Sequence, residues 1–403
     1  MLKAIKVKLY PSADQKIYMN KLLGSSRFVY NYCLNHKITE YKDKKKSTSF
    51  GELGKILTSL KKQKEYKWLK DSHSKVLQQS LINMNKAYDN FFKSGSGFPK
   101  FKSRHQKQSC RFPVDAISGV KGNRINIITA LKDIHFKCSS SDMSYLNKNQ
   151  HLIKSGTLSK TKSGDYYFSV LIDRPNKKLN QPTNDIIGID LGIKDFVITS
   201  EGQTYENLKI KRNNKQKISK LQRELSRKIK GSSNRNKARI KLAKLYEKLN
   251  NQKEYYLHSV ANQLLSENQT IVIEDLNVKG MLKNHKLAVS IQELSLYRFK
   301  EILKYKAEWY NREVIEVDKW FPSSKLCSVC GYKNQELTLK DRSWTCLECG
   351  TNHDRDLNAA TNIKQEGQRI KEIGMSLPEL TPLESKSLDP RGIRKSKIEL
   401  MKI

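Results

Sequence analysis

The spacing of hydrophobic and polar positions changes several times along the chain. Residues 2–9, LKAIKVKL, alternate Ile5, Val7 and Leu9 with Lys6 and Lys8, which predicts a half-buried strand with a basic outer face. Pro11 stops that strand, and Ser12 with Gln15 three residues later forms a capping box that opens a helix. Residues 13–93 are helix-rich, and Val76, Leu77, Leu81, Met84, Tyr88 and Phe91 mark one face of a long amphipathic helix. A breaker, SGSGFP, follows at Ser94 and leads into a basic strip ending at Phe112. There Phe98, Phe101 and Phe112 interleave with Lys100, Lys102 and Arg104. Such a strip either stacks on bases and meets phosphates, or is a basic loop whose phenylalanines are core. Residues 120–175 turn β-rich: RINII (124–128) and the segments flanking Ser163-Gly164, ending in DYYFSVLID, predict strands and a hairpin. Strands on both sides of a helical segment fit a small barrel into which that segment is inserted.

After a linker-like stretch at 176–185, IIGIDL (186–191) is a short apolar run with Asp190 near its end. Glu201-Gly202 is a hairpin signal between 194–200 and 203–205. IVIEDL (271–276) is a second apolar run, with Glu274 near its end. Both runs are β-branched and predict strands buried on both faces. Between them, residues 211–250 hold fifteen Lys or Arg against two Glu. Ile218, Leu221, Leu225 and Ile229 form one helical stripe. Leu242, Leu245, Leu249, Tyr256, Val260 and Leu264 form another, with a break at Gly231-Ser232-Ser233. The pattern predicts a helical hairpin with one apolar face and a cationic outer face. At this charge density a phosphate backbone is a better partner than bulk water. A helix over 291–310 and the strand REVIEVD (312–318) come next.

Two constellations carry chemistry. Cys327, Cys330, Cys346 and Cys349 form two C-x-x-C pairs, the arrangement in which four thiolates converge tetrahedrally on one structural Zn²⁺. All four positions are cysteine, so nothing suggests an open catalytic zinc, and nearby His353 is surplus to the set. Beyond them, Asp354 and Asp356 precede Asn358, Ala359 and Ala360, which predicts a helix with a carboxylate at its mouth and small residues that let it lie close to a sheet. A carboxylate at the end of a buried strand needs a partner there. Asp190, Glu274 and Asp356 brought together make an oxygen-ligand site for Mg²⁺ or Mn²⁺. Asp190, on the central strand, is the expected bridging ligand between two ions. Asp275 points to the opposite face of its strand and is read as structural.

Length and charge narrow the class. The 403 residues suffice for two or three domains. A formal net charge of +37 implies a polyanionic partner, with nucleic acid first and anionic membrane second. Neither a signal peptide nor an apolar run of transmembrane length is evident in the sequence, which argues against a membrane partner. Seven cysteines, four in the zinc pattern and three scattered (Cys33, Cys110, Cys138), fit a reducing cytosol.

GIDLG, then IEDL, then the paired C-x-x-C with W-T before the third cysteine, then H-D-R-D-x-N-A-A-x-N-I, in that order, resemble the TnpB family. These are RNA-guided DNA nucleases of bacterial insertion sequences, relatives of the type V CRISPR effectors. The resemblance covers essentially the whole chain. It implies an α+β multidomain architecture with an RNase H-like (RuvC) nuclease at 181–325 and 351–372, into which a zinc knuckle (ribbon) at 326–350 is inserted. It also implies a wedge β-barrel at 1–11 and 105–180, interrupted by a helical recognition lobe at 12–104. Residues 373–403 are expected to form a poorly ordered basic tail. Catalytic Asp190, Glu274 and Asp356 would hold two Mg²⁺ (or Mn²⁺) for phosphodiester hydrolysis. Asp356 is preferred to Asp354 because it directly precedes the x-N-A-A run, as the family's third acid does, and Asp354 is left to cap the helix.

The partners implied are a guide RNA from the transposon end and double-stranded target DNA beside a short flanking motif. Association with an element-encoded transposase is also implied. Lys75 and Gln79, one turn apart, match the positions of the family's motif-reading side chains. Lys100, Lys102, Arg104, Arg223, Arg227, Arg235 and Arg239 are the further expected nucleic-acid contacts. Two rival functions share these features. A nuclease-inactive RNA-guided repressor would lack one of the three acids, all of which are present. A DNA transposase of the same fold would need a multimer, and no dimerisation heptad is evident.

Overall fold

The computed structural model describes residues 1–176, 179–285, 287–338 and 340–376. From the N-terminus the elements are β1 (Leu2–Tyr10), α1 (Ala13–Lys44), α2 (Phe50–Lys62), α3 (Ser74–Lys93), β2 (Gln108–Pro113), β3 (Gly119–Lys121), β4 (Arg124–Asn126), β5 (Ile134–Lys137), α4 (Ser140–Lys148), β6 (Ile153–Lys160) and β7 (Tyr166–Asp173). They continue with β8 (Asn184–Asp190), β9 (Asp195–Thr199), β10 (Thr204–Glu206), α5 (Ile210–Asn213), α6 (Lys215–Ser226), α7 (Ser233–Glu267), β11 (Asn268–Glu274), α8 (Val278–Met281), α9 (Ala288–Leu294), α10 (Leu296–Tyr310), β12 (Glu313–Val317), β13 (Ser343–Thr345), β14 (Asn352–Asp354) and α11 (Arg355–Ser376). Two compact units emerge: Met1–Asn176 with Asn214–Asn251, and Lys177–Asn213 with the chain from Gln252 onward.

In the first unit a seven-stranded antiparallel sheet runs β2-β6-β7-β1-β5-β4-β3. Ile5, Val7 and Leu9 of β1 point into its core beside Phe112, Phe136 and Phe168. Among the described residues no pairing joins edge strand β2 to edge strand β3, so the barrel closure expected from sequence is not drawn by backbone hydrogen bonds. Strand β2 takes up the end of the basic strip and turns Phe112 fully inward, into the core rather than toward a base. Phe98 packs edge-on against Tyr88 and Phe91, while Phe101 stays half exposed. The helices α1, α2 and α3 bury a second core around Leu34, Leu53, Leu77 and Met84.

The capping box at Ser12 is present: its side chain accepts from the Gln15 amide, and the Gln15 side chain returns to the Ser12 amide. Ser12→Ala is expected to cost about 1 kcal/mol, read from the midpoint of urea unfolding. Cys33 and Cys110 are buried core residues, and burial pushes both thiols up to about 12. The break at Gly231 separates α6 from α7, but α6 ends at Ser226, so Ile229 is exposed in the bend and does not extend the apolar stripe.

The second unit is built on a five-stranded sheet, β10-β9-β8-β11-β12. β8, β11 and β12 are parallel, and β9 and β10 form the antiparallel hairpin expected at Glu201-Gly202. Side chains alternate across it. Ile187 and Ile189 of β8, with Ile271 and Ile273 of β11, pack against Leu257, Leu264, Phe299 and Leu303 of α7 and α10. Ile186 and Val272 face the other way, with Val317 and Ile363 of α11. Both faces are covered, which is why these strands read as continuous apolar runs.

Helix α11 lies unusually close to the sheet. A Cβ on Gly188 would fall 2.2 Å from the Ala360 carbonyl oxygen, and one on Gly367 would fall 2.3 Å from Val272 Cγ2. The helix continues through Ser376, four residues beyond the boundary expected at 372. The rest of the expected basic tail, 377–403, lies outside the described residues. No described helix is long and apolar enough to cross a membrane.

Candidate functional site

The two-residue alternation of a strand decides where the acids point. Asp190 shares parity with Ile186 and Gly188, and Glu274 with Val272, so both carboxylates face the α11 side of the sheet. They end adjacent parallel strands, and the register Ile189↔Ile273 sets them side by side. Asp356 is the second residue of α11, whose entry is fixed by Asp354. The Asp354 carboxylate accepts from the amides of Asp356 and Leu357, both at 3.0 Å, and caps the helix. Asp275, of opposite parity, turns to the α10 side, where it pairs with Lys300 at 2.6 Å. Lys300 also pairs with Glu316 at 2.8 Å.

The acids feel one another. Burial raises the Asp190 carboxyl to about 6, the charge of Asp356 adds to the rise, and Arg355 and the Leu191 amide offset part of it. Burial also raises Glu274 to about 7, with the Asp190 charge as the second cause. A guanidinium stands on the third acid: Arg342 Nη1 lies 3.5 Å from Asp356 Oδ2. With Asp190 and Glu274 both raised by burial and by a neighbouring acid, the three carboxylates form the donor set that suits a hard divalent cation.

This has a stability consequence. An acid whose folded pKa exceeds its unfolded value binds more protons when folded, so stability falls as pH rises between the two values. For Glu274 that window runs from the ordinary glutamate value of 4.5 to about 7. In chelator-containing buffer, Glu274→Gln is therefore expected to melt above the parent at pH 8. The difference should close below pH 4.5, as followed by circular dichroism melts across pH.

The cysteines gather as expected. Their four Sγ atoms lie within 4.8 Å of one another, the one such metal-ligand cluster among the described residues. Cys327–Cys349 and Cys330–Cys346 are 3.6 and 3.5 Å apart. Tetrahedral zinc with bonds of about 2.3 Å requires sulfurs about 3.8 Å apart, so the set fits a structural Zn²⁺. The three carboxylates do not gather to that tightness among the described residues. His353, surplus to the four sulfurs, is buried with Nε2 3.1 Å from Cys327 Sγ and its ring 4.9 Å from that of Trp344.

The nucleic-acid candidates divide. Lys100, Arg104, Arg223, Arg227 and Arg239 are exposed. Lys75 is exposed and ion-paired to Asp115. Gln79 does not share that face. It is 8 % exposed and its amide meets Asn83 at 3.4 Å, because it falls on the side of α3 that carries Val76 and Ser80 inward. Arg235 is likewise committed: Nη1 donates to the Leu225 and Lys228 carbonyls at 2.9 and 2.8 Å, at and just past the end of α6. Lys102 is half-buried, with Nζ 3.9 Å from the Tyr30 ring centre. Composition cannot distinguish a capping arginine or a cation–π lysine from one held out to solvent.

This chain is 33% identical over 372 residues to the "Putative RNA-guided DNA endonuclease" of Streptomyces pristinaespiralis, covering 92% of this chain and 91% of that protein. The chain belongs to the TnpB family. Another member, "Putative RNA-guided DNA endonuclease InsQ" of Escherichia coli (strain K12), is 30% identical over 399 residues, covering 95% of this chain and 96% of that protein. Three family models match. Residues 1–46 match a "Helix-turn-helix domain", 167–285 the "Probable transposase" OrfB_IS605, and 297–363 the "Cas12f1-like, TNB domain".

The TNB match spans α10, β12 and the cysteine cluster. The first match instead covers one strand and one long helix here, β1 and α1. Among solved structures, the Cas12f1–sgRNA–target DNA complex aligns with TM-score 0.54 at 13% identity, covering 90% of this chain and 98% of that one. The mini-RNA-guided endonuclease CRISPR-Cas_phi3 aligns with TM-score 0.51 at 11% identity, covering 91% and 92%. This TnpB protein therefore shares the mixed α+β fold of Cas12-type effectors.

Proposed function

We propose that the chain is an RNA-guided DNA endonuclease that hydrolyses phosphodiester bonds at a single RuvC-like site formed by Asp190, Glu274 and Asp356. The observation that carries the reading is that three acids from β8, β11 and α11 lie on one side of the sheet, two of them with proton affinities raised by burial and by the charge of a neighbouring acid, Asp356 for Asp190 and Asp190 for Glu274. The strand order β10-β9-β8-β11-β12, antiparallel then parallel, supports an RNase H-like assignment of the second unit.

Asp190, on the middle strand, would hold the divalent ions, Mg²⁺ or Mn²⁺, together with Glu274 and Asp356. When bound, such ions supply an activated water and stabilise the leaving oxygen. The chain's own contribution is to hold three carboxylates in a half-buried setting, where a bound divalent cation would favour the anionic forms of Asp190 and Glu274 that burial disfavours. The four cysteines would hold the structural Zn²⁺ of the TNB segment. The sheet of the first unit would serve as the wedge and α1–α3 as the recognition lobe, with Lys75 beside the flanking motif. The guide is an RNA from the transposon end, and base pairing reads the target. The exposed Arg223, Arg227 and Arg239, with the lysines around them, would meet phosphates.

The test is cleavage of a plasmid that carries the target and flanking motif. The protein is supplied with, or stripped of, the RNA that co-purifies from cells containing the element's flanking DNA. Guide-dependent double-strand cutting that needs a divalent metal is expected. RNA-dependent binding without cutting, or RNA-independent strand joining, would overturn the reading.

A further inference from the structure

The cysteine cluster and the acids are separate sites, yet one helix belongs to both. Helix α11 is gripped from two directions at its first turns. From the second cysteine pair, β13 passes to β14 through Cys346 and Cys349, Trp344 pairs with His353, and β14 runs without a break into α11. From the first pair the grip is made by side chains. Asn358 Oδ1 accepts from the Ser328 amide at 3.0 Å, and its Nδ2 donates to the Leu326 carbonyl at 2.6 Å. Asn362 Nδ2 donates to the carbonyls of Ser323 and Leu326 at 2.7 and 2.8 Å, and Gln365 Nε2 donates to the Ser328 carbonyl at 2.9 Å. Leu326 and Ser328 flank Cys327, so these amides hold the backbone of the first C-x-x-C turn itself.

Both asparagines are 3 % exposed. Residues 358, 362 and 365 fall on one helix face. Asp356, two residues before Asn358 and so about 200° around the axis, points away from that face.

We propose that Asn358 and Asn362 are positioning residues that couple metal at the four-cysteine site to the placement of Asp356 at the acid site. Without a metal, the two cysteine pairs meet in a small core of Cys327, Leu337, Trp344 and Cys346 and hold α11 from separate directions. A metal that joins the four sulfurs turns both grips into one rigid body, and the asparagines transmit its position to the helix. The coupling rests on Asp356 being a ligand of the divalent site.

The experiment uses the full RNA-bound protein and Mn²⁺ as the probe, its affinity read by electron paramagnetic resonance, beside zinc content by elemental analysis. Asn358→Ala is expected to weaken Mn²⁺ binding about tenfold or more, the usual size of an outer-shell loss, with one zinc per chain and the melting temperature retained. Stripping zinc from the parent should weaken Mn²⁺ to a similar degree. In Asn358→Ala, stripping should add less than it removes from the parent, since part of that link is already cut. Raised Mn²⁺ should restore cutting in Asn358→Ala.

Parent-like Mn²⁺ affinity in Asn358→Ala, or additive losses from substitution and stripping, would overturn the coupling. So would a joint fall of zinc content and melting temperature, which would make the asparagines mere supports of the knuckle. Asp356→Asn serves as the control. If it binds Mn²⁺ like the parent, the acid site itself is wrongly read. If it loses Mn²⁺ while Asn358→Ala does not, the coupling alone fails. Should Asn358→Ala not fold, Asn358→Asp, which keeps the acceptor to Ser328 and loses the donor to Leu326, carries the same test.

Discussion

Asp190→Asn is expected to lower DNA strand scission on the order of a thousandfold, with guide RNA binding unchanged. The size follows from position. Asp190 ends the middle strand of the sheet, with Glu274 beside it on β11 and the Asp356 charge close enough to raise its proton affinity. Neighbouring carboxylates are committed elsewhere: Asp185 pairs with Lys371 at 3.4 Å, Asp195 with Lys194 at 3.7 Å, and Asp275 is held by Lys300 on the opposite face. The amide keeps the shape and removes the charge. In metal-free buffer at neutral pH the variant should therefore be at least as stable as the parent, since an ionised buried carboxylate is costly. Gel cleavage with matched guide and target measures the rate, and filter binding of the labelled guide measures the RNA. Scission within tenfold of the parent would remove Asp190 from the chemistry. A parallel loss of RNA binding would mean that the substitution had damaged more than the site.

Much of this site was legible because its signals are local. A β-branched run ending in a carboxylate, a C-x-x-C spacing and a helix mouth with an Asp cap each announce themselves within a few residues. Each is found where its pattern put it: β8, β11, the cysteine cluster and the α11 entry. Period-two alternation even separates Glu274 from Asp275.

What sequence could not give is which partner a versatile side chain takes. Gln79 and Arg235 look like surface readers in a basic chain, but α3 turns one inward and the end of α6 claims the other. Arg342 carries no local mark of its place over Asp356. Strand β2 was hidden because a basic strip that pairs at a sheet edge has the composition of a loop. Asn358 and Asn362 read as incidental polar residues in an alanine-rich helix, because their partners are backbone groups about thirty to forty residues upstream. A glycine inside a strand, in contrast, is a usable signal of close backbone approach.

That signal sits at Gly188, and Gly188→Ala should be among the most damaging single-methyl changes in the second unit. The added carbon would lie 2.2 Å from the Ala360 oxygen, 2.5 Å from the Lys364 nitrogen and 2.8 Å from the Lys364 Cβ. The first two are helix backbone and cannot rotate aside. Either α11 retreats from β8 or the strand bends, and both are resisted, because Ala360 and Ile363 are fully buried and Gly367 meets Val272 farther along the helix. Overpacking of this kind costs about 1–3 kcal/mol, and the upper end is expected where the colliding atoms are main chain. The effect on function should exceed the effect on stability. A shift of about 1 Å in a helix that positions a reacting group costs roughly a hundredfold in rate, and α11 carries Asp356. Gly54→Ala in α2 is the matched control, since a Cβ there meets nothing within 4 Å and a helix interior favours Ala. Urea unfolding and cleavage rates on the pair separate the effects. Gly188→Ala should lose both stability and cutting, and Gly54→Ala neither. Equal behaviour of the two would show that α11 can move off the sheet without cost, and that its close approach does not set the position of the third acid.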